Sequence, residues 1–266
     1  MAKYVRLEKV GRVALVSLNR PEKRNALDEA MFDEIRENFL ALRDKDDVWV
    51  VLLKGAEVEG GEIFSAGIDL YDVAKKVQGA SITTIKKFTT KLQESFNAVE
   101  SLEKPVIALV GGYCFGAGLE LALACDLRIM AEDAQIGALE TALGLVPDLG
   151  GTTRLVRALG TSRAKQMILT AEKLDASRAL SFGLVNWVVE PENLVMKGME
   201  VAEQLCLNAP LALGVAKRLV DQVCNLDLAT ALTVEKLAQM ELLQSEDTLE
   251  AIMAKTERRE PVFGGK

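Results

Sequence analysis

Two glutamates stand out as groups able to move protons. Glu120 lies in Phe115-Gly116-Ala117-Gly118-Leu119-Glu120-Leu121, just inside an apolar segment led by glycines. Glu140 closes Gly137-Ala138-Leu139-Glu140, beyond the apolar run that ends in Cys125-Asp126-Leu127-Arg128-Ile129. A carboxylate among apolar side chains costs free energy unless it has partners or a task. A second one nearby supplies what a proton-transfer pair needs. The chain contains no histidine, so an acid or base working near neutral pH must be another group with a retuned pKa. The competing readings are structural: Glu120 as a half-buried helix residue paired with an arginine, and Glu140 as a carboxylate at a helix start.

Two turns near these glutamates could bind a carbonyl oxygen. Phe64-Ser65-Ala66-Gly67-Ile68-Asp69-Leu70 leads out of a strand-like segment, and Gly116-Ala117-Gly118 leads into a helix. Small residues let backbone approach a ligand closely, and a helix start offers unpaired N–H groups. Two N–H groups converging on one oxygen form an oxyanion hole. Taken singly, each turn also reads as a tight loop with glycine for sterics. Neither fits a dinucleotide fingerprint or a P-loop, so phosphoryl chemistry has no support.

The elements that must hold these groups follow from periodicity. Val13 to Leu18, Val48 to Leu53, Val106 to Val110 and Leu127 to Met130 read as short buried strands. Asn25-Ala26-Leu27-Asp28 opens a helix with a stripe of Met31, Phe32, Ile35, Phe39 and Leu42. A second helix spans Ile82 to Leu102, after loops at Gly55 to Gly67 and about Tyr71 to Ile85. Strands alternating with helices predict an α/β fold with crossover connections. From about Thr161 the chain reads as mainly helical, with short helices at Ala164 to Leu169 and Ala176 to Leu180. A last strand at Val185 to Val189 precedes helices at Leu194 to Cys206, Leu211 to Asn225 and Leu228 to Gln244. The last two could cover the core or form a subunit interface.

Composition narrows the function classes. The chain has 266 residues, 49% of them hydrophobic and 27% charged, which suits an ordinary soluble globular protein of one large domain, or of one domain with a helical appendage. No apolar run is long enough for a bilayer, and Met1-Ala2-Lys3-Tyr4-Val5 carries no apolar signal stretch. A net charge of −7 argues against nucleic acid as the main partner. The four cysteines lack paired spacing; Cys114 and Cys125 read as buried thiols of a reducing cytoplasm, and no metal site is expected.

The spaced motifs together resemble the enoyl-CoA hydratase/isomerase (crotonase) superfamily over nearly the whole length. The matching segments are Asn19-Arg20-Pro21 with Asn25-Ala26-Leu27, Phe64 to Leu70, Lys104-Pro105-Val106-Ile107-Ala108 and Gly116 to Leu121. Cys125-Asp126, Pro147-Asp148-Leu149-Gly150-Gly151, Gly183-Leu184-Val185 and the tail Arg259-Glu260-Pro261-Val262-Phe263 complete the set. The resemblance implies an α/β, crotonase-type spiral of ββα units with a C-terminal helical region, divided as residues 1–200 and 201–266. It implies an acyl-CoA substrate, no separate cofactor, and a homo-oligomer, a trimer or dimer of trimers.

By the same resemblance the oxyanion hole is the backbone N–H of Ile68 and of Ala117, the latter at a position often glycine. Glu140 would give a proton to the α-carbon, while Glu120 would orient and deprotonate the attacking water. Asp148 stands where typical hydratases carry a small residue and where dienoyl-CoA isomerases carry an aspartate. With Glu140 it could move a proton along a conjugated chain. Glu120, however, replaces the aspartate usual in those isomerases. Lys23, Arg24, Ala66, Asp69, Leu70, Arg258 and Phe263 are candidates to contact the CoA moiety, although Asp69 and Asp126 also suit local capping. The expected activity is hydration of a trans-2-enoyl-CoA to a 3-hydroxyacyl-CoA. The alternatives are Δ3,5-Δ2,4-dienoyl-CoA isomerisation and non-catalytic acyl-CoA binding.

Overall fold

The computed structural model of the protein describes residues 4–58 and 61–266. Met1, Ala2 and Lys3, where the sequence carries no apolar signal stretch, and Glu59 and Gly60 of the Gly55 to Gly67 loop, lie outside the described residues. The chain opens with β1 (Val5–Val10) and β2 (Val13–Leu18), then α1 (Glu29–Arg43) and β3 (Val50–Gly55). A short pair, β4 (Glu57–Val58) and β5 (Gly61–Glu62), precedes α2 (Leu70–Val77) and α3 (Ile82–Glu100). Next come β6 (Val106–Val110), β7 (Tyr113–Phe115), α4 (Ala117–Leu123), β8 (Leu127–Ala131) and β9 (Gln135–Gly137). The remainder comprises α5 (Gly151–Thr170), β10 (Leu174–Asp175), α6 (Ala176–Phe182), β11 (Trp187–Val189), α7 (Leu194–Cys206), α8 (Pro210–Val223), α9 (Leu228–Leu242) and α10 (Glu246–Glu257).

The large sheet has the order β1-β2-β3-β6-β8-β11, antiparallel only between β1 and β2. Strands β3 and β6 are near-continuous runs of Val, Leu, Ile and Ala because helices or a second layer cover both faces. A small sheet, β10-β9-β7, lies beside it. The chain therefore lays one strand in the large sheet, a shorter one in the small sheet and then a helix. β6-β7-α4 is the clearest turn of this ββα spiral. β8 and β9 repeat it before α5, and Ser65, bridged to Cys114, follows β3 in the same way.

The predicted apolar stripe of α1 is buried, and Phe32 meets Phe96 of α3 at 5.1 Å between ring centroids. Asp28 caps α1 by accepting the Met31 N–H at 3.0 Å. Several expectations need correction. The stretch from Tyr71 to Ile85 is not a loop; Asp69 caps α2 by accepting the N–H groups of Tyr71 and Asp72. Helix α5 starts at Gly151, ten residues before the expected helical region. Its start is hidden in sequence by Gly150 and Gly151, and Gly160 kinks it at φ 73°. β1, β7, β9 and α10 were not foreseen. Residues 200 and 201 fall inside α7, which packs on β3, β6 and β8; the change to peripheral helices comes after Cys206. α9 and α10 leave Leu228, Leu237, Met240, Ile252 and Met253 exposed in the single chain. No helix among the described residues is long and apolar enough to cross a membrane.

Candidate active site

The parallel strands end on one side of the sheet, and the two glycine turns meet there. Leu27 donates to the Gly67 carbonyl and accepts from the Asp69 N–H, both at 2.8 Å, which fixes the peptides on either side of Ile68. Ser65 donates to the Tyr113 carbonyl at 2.8 Å and accepts from the Phe115 N–H at 3.1 Å. The turns thus run side by side. Gly67, at φ 106°, is required: a Cβ there would lie 2.8 Å from the Phe115 carbonyl oxygen and 3.7 Å from the Ala117 nitrogen. The N–H groups of Ile68 and Ala117 have no hydrogen-bond partner among the described residues. Ala117 is the first residue of α4, where an N–H has no partner within the helix.

Both residues line a cavity of about 310 Å³, together with Glu120, Glu140 and Asp148. Glu120 is 2% exposed. Its Oε1 accepts the N–H groups of Leu149 and Gly151, each at 2.8 Å. The arginine pairing considered for it is absent. Gly151 leaves room for this contact, since an added Cβ would lie 2.6 Å from Glu120 Cγ and Oε1. Glu140 begins a 3-10 turn, Glu140–Leu143, and faces Gly116; a Cβ at 116 would stand 3.4 Å from its Oε1. Both carboxylate oxygens of Glu140 are buried without a hydrogen-bond partner among the described residues. Asp148 holds its loop against α3, with Thr89 bonding its side chain and Gln93 Nε2 donating to its carbonyl at 2.6 Å.

Three carboxyl groups share this low-dielectric space. Burial pushes Glu120 up to about 8; the Gly151 and Leu149 N–H groups oppose the rise, while Glu140 and Asp148 add to it. Glu140 is also raised, by burial and then by Asp148, with only its own N–H tempering it. Asp148 is raised by burial against the help of its own N–H and Thr89. Burial therefore favours the protonated form of Glu120 at neutral pH in the ligand-free protein, and the Glu140 carboxyl group beside it is raised as well.

A stability consequence follows. Between the ordinary glutamate range and pH 8 the folded state binds more protons at Glu120 than the unfolded chain does, so stability falls as pH rises through that window. The slope is at most about 1.4 kcal/mol per pH unit. Glu120→Gln removes it. Urea unfolding at pH 5 and pH 8.5 should show wild type losing more stability than the variant; equal losses would refute the assignment.

The remaining predicted contacts separate into two groups. Ala66 and Leu70 line the cavity. The Arg24 carbonyl accepts the Ala66 N–H at 3.0 Å, so exposed Lys23 and Arg24 sit beside that rim, and Arg24 lines the adjoining depression with Pro21 and Tyr113. Asp69 is engaged by its capping bonds and by Arg20, at 2.9 Å. Arg258 and Phe263 are not brought to the cavity within the chain. Phe263 shares a groove with Arg12 and Trp49, which precede β2 and β3, at the opposite end of the sheet. The tail is tied there by Asp247, which accepts the N–H groups of Gly264 and Gly265. The inner wall of the cavity is supplied by Val73 and Val77 of α2 and by Ile85, Phe88 and Thr89 of α3; the first three fall in the Tyr71 to Ile85 stretch that the sequence reads as a loop bearing on acyl-chain length, and Phe88 and Thr89 carry no such signal.

Comparison with known proteins identifies the family of the chain. The family model described as "Enoyl-CoA hydratase/isomerase" matches residues 8–266. The short-chain-enoyl-CoA hydratase of Clostridium acetobutylicum is 38% identical over 255 residues, covering 95% of this chain and 94% of that protein. The crotonyl-CoA hydratase of Syntrophomonas wolfei is 34% identical, covering 98% and 97%. The crystal structure of an enoyl-CoA hydratase from Bacillus anthracis superposes with a TM-score of 0.92 at 35% identity, covering 99% and 100%. Fold and likeness define an enzyme of the crotonase superfamily with a hydratase-type function. The chain belongs to the enoyl-CoA hydratase/isomerase family, whose substrates are acyl-CoA thioesters.

Proposed function

We propose that the protein adds water across the 2,3 double bond of a short trans-2-enoyl-CoA. The observation that carries this reading is the pairing of opposite states in one cavity. Glu140 has two buried oxygens with no partner, and Glu120 has one oxygen locked by two amides. The first group is free to address substrate and the second is aimed. The thioester oxygen sits between the Ile68 and Ala117 N–H groups, each worth about 3–4 kcal/mol as negative charge develops. For hydration the proton that Glu120 carries in the ligand-free protein first passes to Glu140; Glu120, now a carboxylate, takes one proton of the water while its oxygen bonds to Cβ. The π electrons move toward the carbonyl, giving an enolate, and Glu140 as carboxylic acid protonates Cα as the carbonyl reforms. The proton gained by Glu120 returns to Glu140 before the next turnover. In the dehydration direction the starting states are reversed, with the proton on Glu120.

A short acyl chain is supported by the 310 Å³ cavity and by the short-chain and crotonyl names of the relatives. The exposed apolar residues of α9 and α10 support a homo-oligomer. A second reading has one observation in its favour: Asp148 lines the same cavity and couples electrostatically to Glu140. There the two would pass a proton along a 3,5-dienoyl-CoA. Absorbance with crotonyl-CoA, and separately with a 3,5-dienoyl-CoA, tests both. Loss of the enoyl-thioester band is the expected result. Growth of a 2,4-dienoyl band alone would replace hydration by isomerisation.

A further inference from the structure

Glu120 depends on a loop whose position is set from behind the cavity. Residues 148 to 151 present the Leu149 and Gly151 N–H groups to Glu120 on one side. On the other side Arg154, 7% exposed, donates from Nη1 to the Leu149 carbonyl at 3.0 Å. Leu149 is thus held through both of its flanking peptides. The two glycines of the loop divide the work. Gly150, at φ 101°, leaves space for the Arg154 guanidinium, where a Cβ would collide; Gly151 leaves space for Glu120.

Arg154 is itself fixed by α3. Its Nε and Nη2 reach Glu100 at 3.1 and 2.7 Å in a bidentate pair, and Nη2 also reaches Asn97 Oδ1 at 3.0 Å. Thr89, Gln93, Asn97 and Glu100 follow one another at helical spacing, and every one of them addresses the segment from Asp148 to Arg154. Arg154 does not line the cavity and touches neither carboxyl group of the acid–base pair.

We propose that Arg154, gripped by Glu100 and Asn97, is a positioning residue that holds the Leu149 and Gly151 amides on Glu120 and so sets the protonation of the acid–base pair. The inference builds on the hydration reading above for its kinetic meaning, but its geometry does not require it. Both amides favour the ionised form of Glu120; loosening them lets burial, Glu140 and Asp148, the groups that oppose ionisation there, act with less opposition. No cation faces Glu120 inside the cavity among the described residues.

The sign of one substitution separates positioning from simple charge. Glu100→Ala removes a negative charge, so the field alone would lower the Glu120 midpoint. Release of Arg154 and its loop would raise it. Glu100 is 35% exposed and Asn97 still engages Arg154, so this variant keeps most of the packing. Carboxyl-carbon NMR titration of ligand-free protein labelled at glutamate, with Glu120 assigned by the signal lost in Glu120→Gln, reads the midpoint without turnover. The expected result is an upward shift of about half a pH unit or more in Glu100→Ala. Arg154→Met, read the same way, should shift upward further. An unchanged or lowered midpoint in folded Glu100→Ala overturns the proposal. In the hydration assay the alkaline limb of kcat/KM should move up with it, with kcat falling more than KM changes. Absence of hydration in wild type would remove the hydration reading and leave the titration result standing.

Discussion

Glu140→Gln is expected to lower kcat for crotonyl-CoA hydration by about 10³-fold, with KM changed by no more than about threefold. The carboxylate makes no hydrogen bond that the amide would break, and its oxygens are buried beside Gly116 and Asp148. Glutamine fills the same volume, so the cavity keeps its shape and the thioester still reaches the Ile68 and Ala117 amides. What disappears is a proton that can leave. Removing a raised carboxyl group also relieves its neighbours, so the variant should unfold at or above the wild-type temperature. A low kcat with an unchanged or higher Tm is the signature of lost proton transfer. A kcat within threefold of wild type would refute the role.

Ala117→Pro is expected to reduce kcat by about 10²- to 10³-fold without unfolding the protein. Proline within a helix is normally ruinous, but Ala117 is the first residue of α4, where proline is well tolerated because no intrahelical bond uses that N–H. Gly116 before it already sits at φ 52°, ψ −123°, a region open to glycine. The substitution deletes one oxyanion donor and leaves the helix that carries Glu120 intact. The loss should fall on kcat, because the donor matters most when charge reaches the thioester oxygen. Near-wild-type kcat would mean that the Ala117 amide does not bind the developing oxyanion. Collapse of Tm would mean that the start of α4 carries more of the fold than its position implies.

Much of this site is legible before any coordinates. The Phe64 to Leu70 and Gly116 to Leu121 turns are local, and their glycines are needed for backbone reasons that act within a few residues. The buried strands β2, β3 and β6 announce themselves because both faces are covered and most of their side chains are apolar. The start of α5 does not, because Gly150 and Gly151 read as a turn. They are there to admit Arg154, one turn further along α5, and Glu120, which approaches from α4. β7 and β9 escape notice for a related reason. Three-residue strands have no usable period, and their existence depends on pairing with each other. The polar stripe on α3 was masked by its stronger apolar stripe.

Residue type and order alone single out the candidate groups: two carboxyl groups in a chain without histidine, and two glycine turns able to expose backbone N–H groups. These are properties of short segments, so they survive without a model of the fold. Only the tertiary structure decided how those groups are tuned. It replaced the arginine considered for Glu120 with two amides from the 148–151 loop, and it left both oxygens of Glu140 without a partner. It also put Phe263 at the far end of the sheet from the cavity. Burial and hydrogen bonding between residues about 30 positions apart are set by packing, and packing is where a carboxyl group acquires its working pKa.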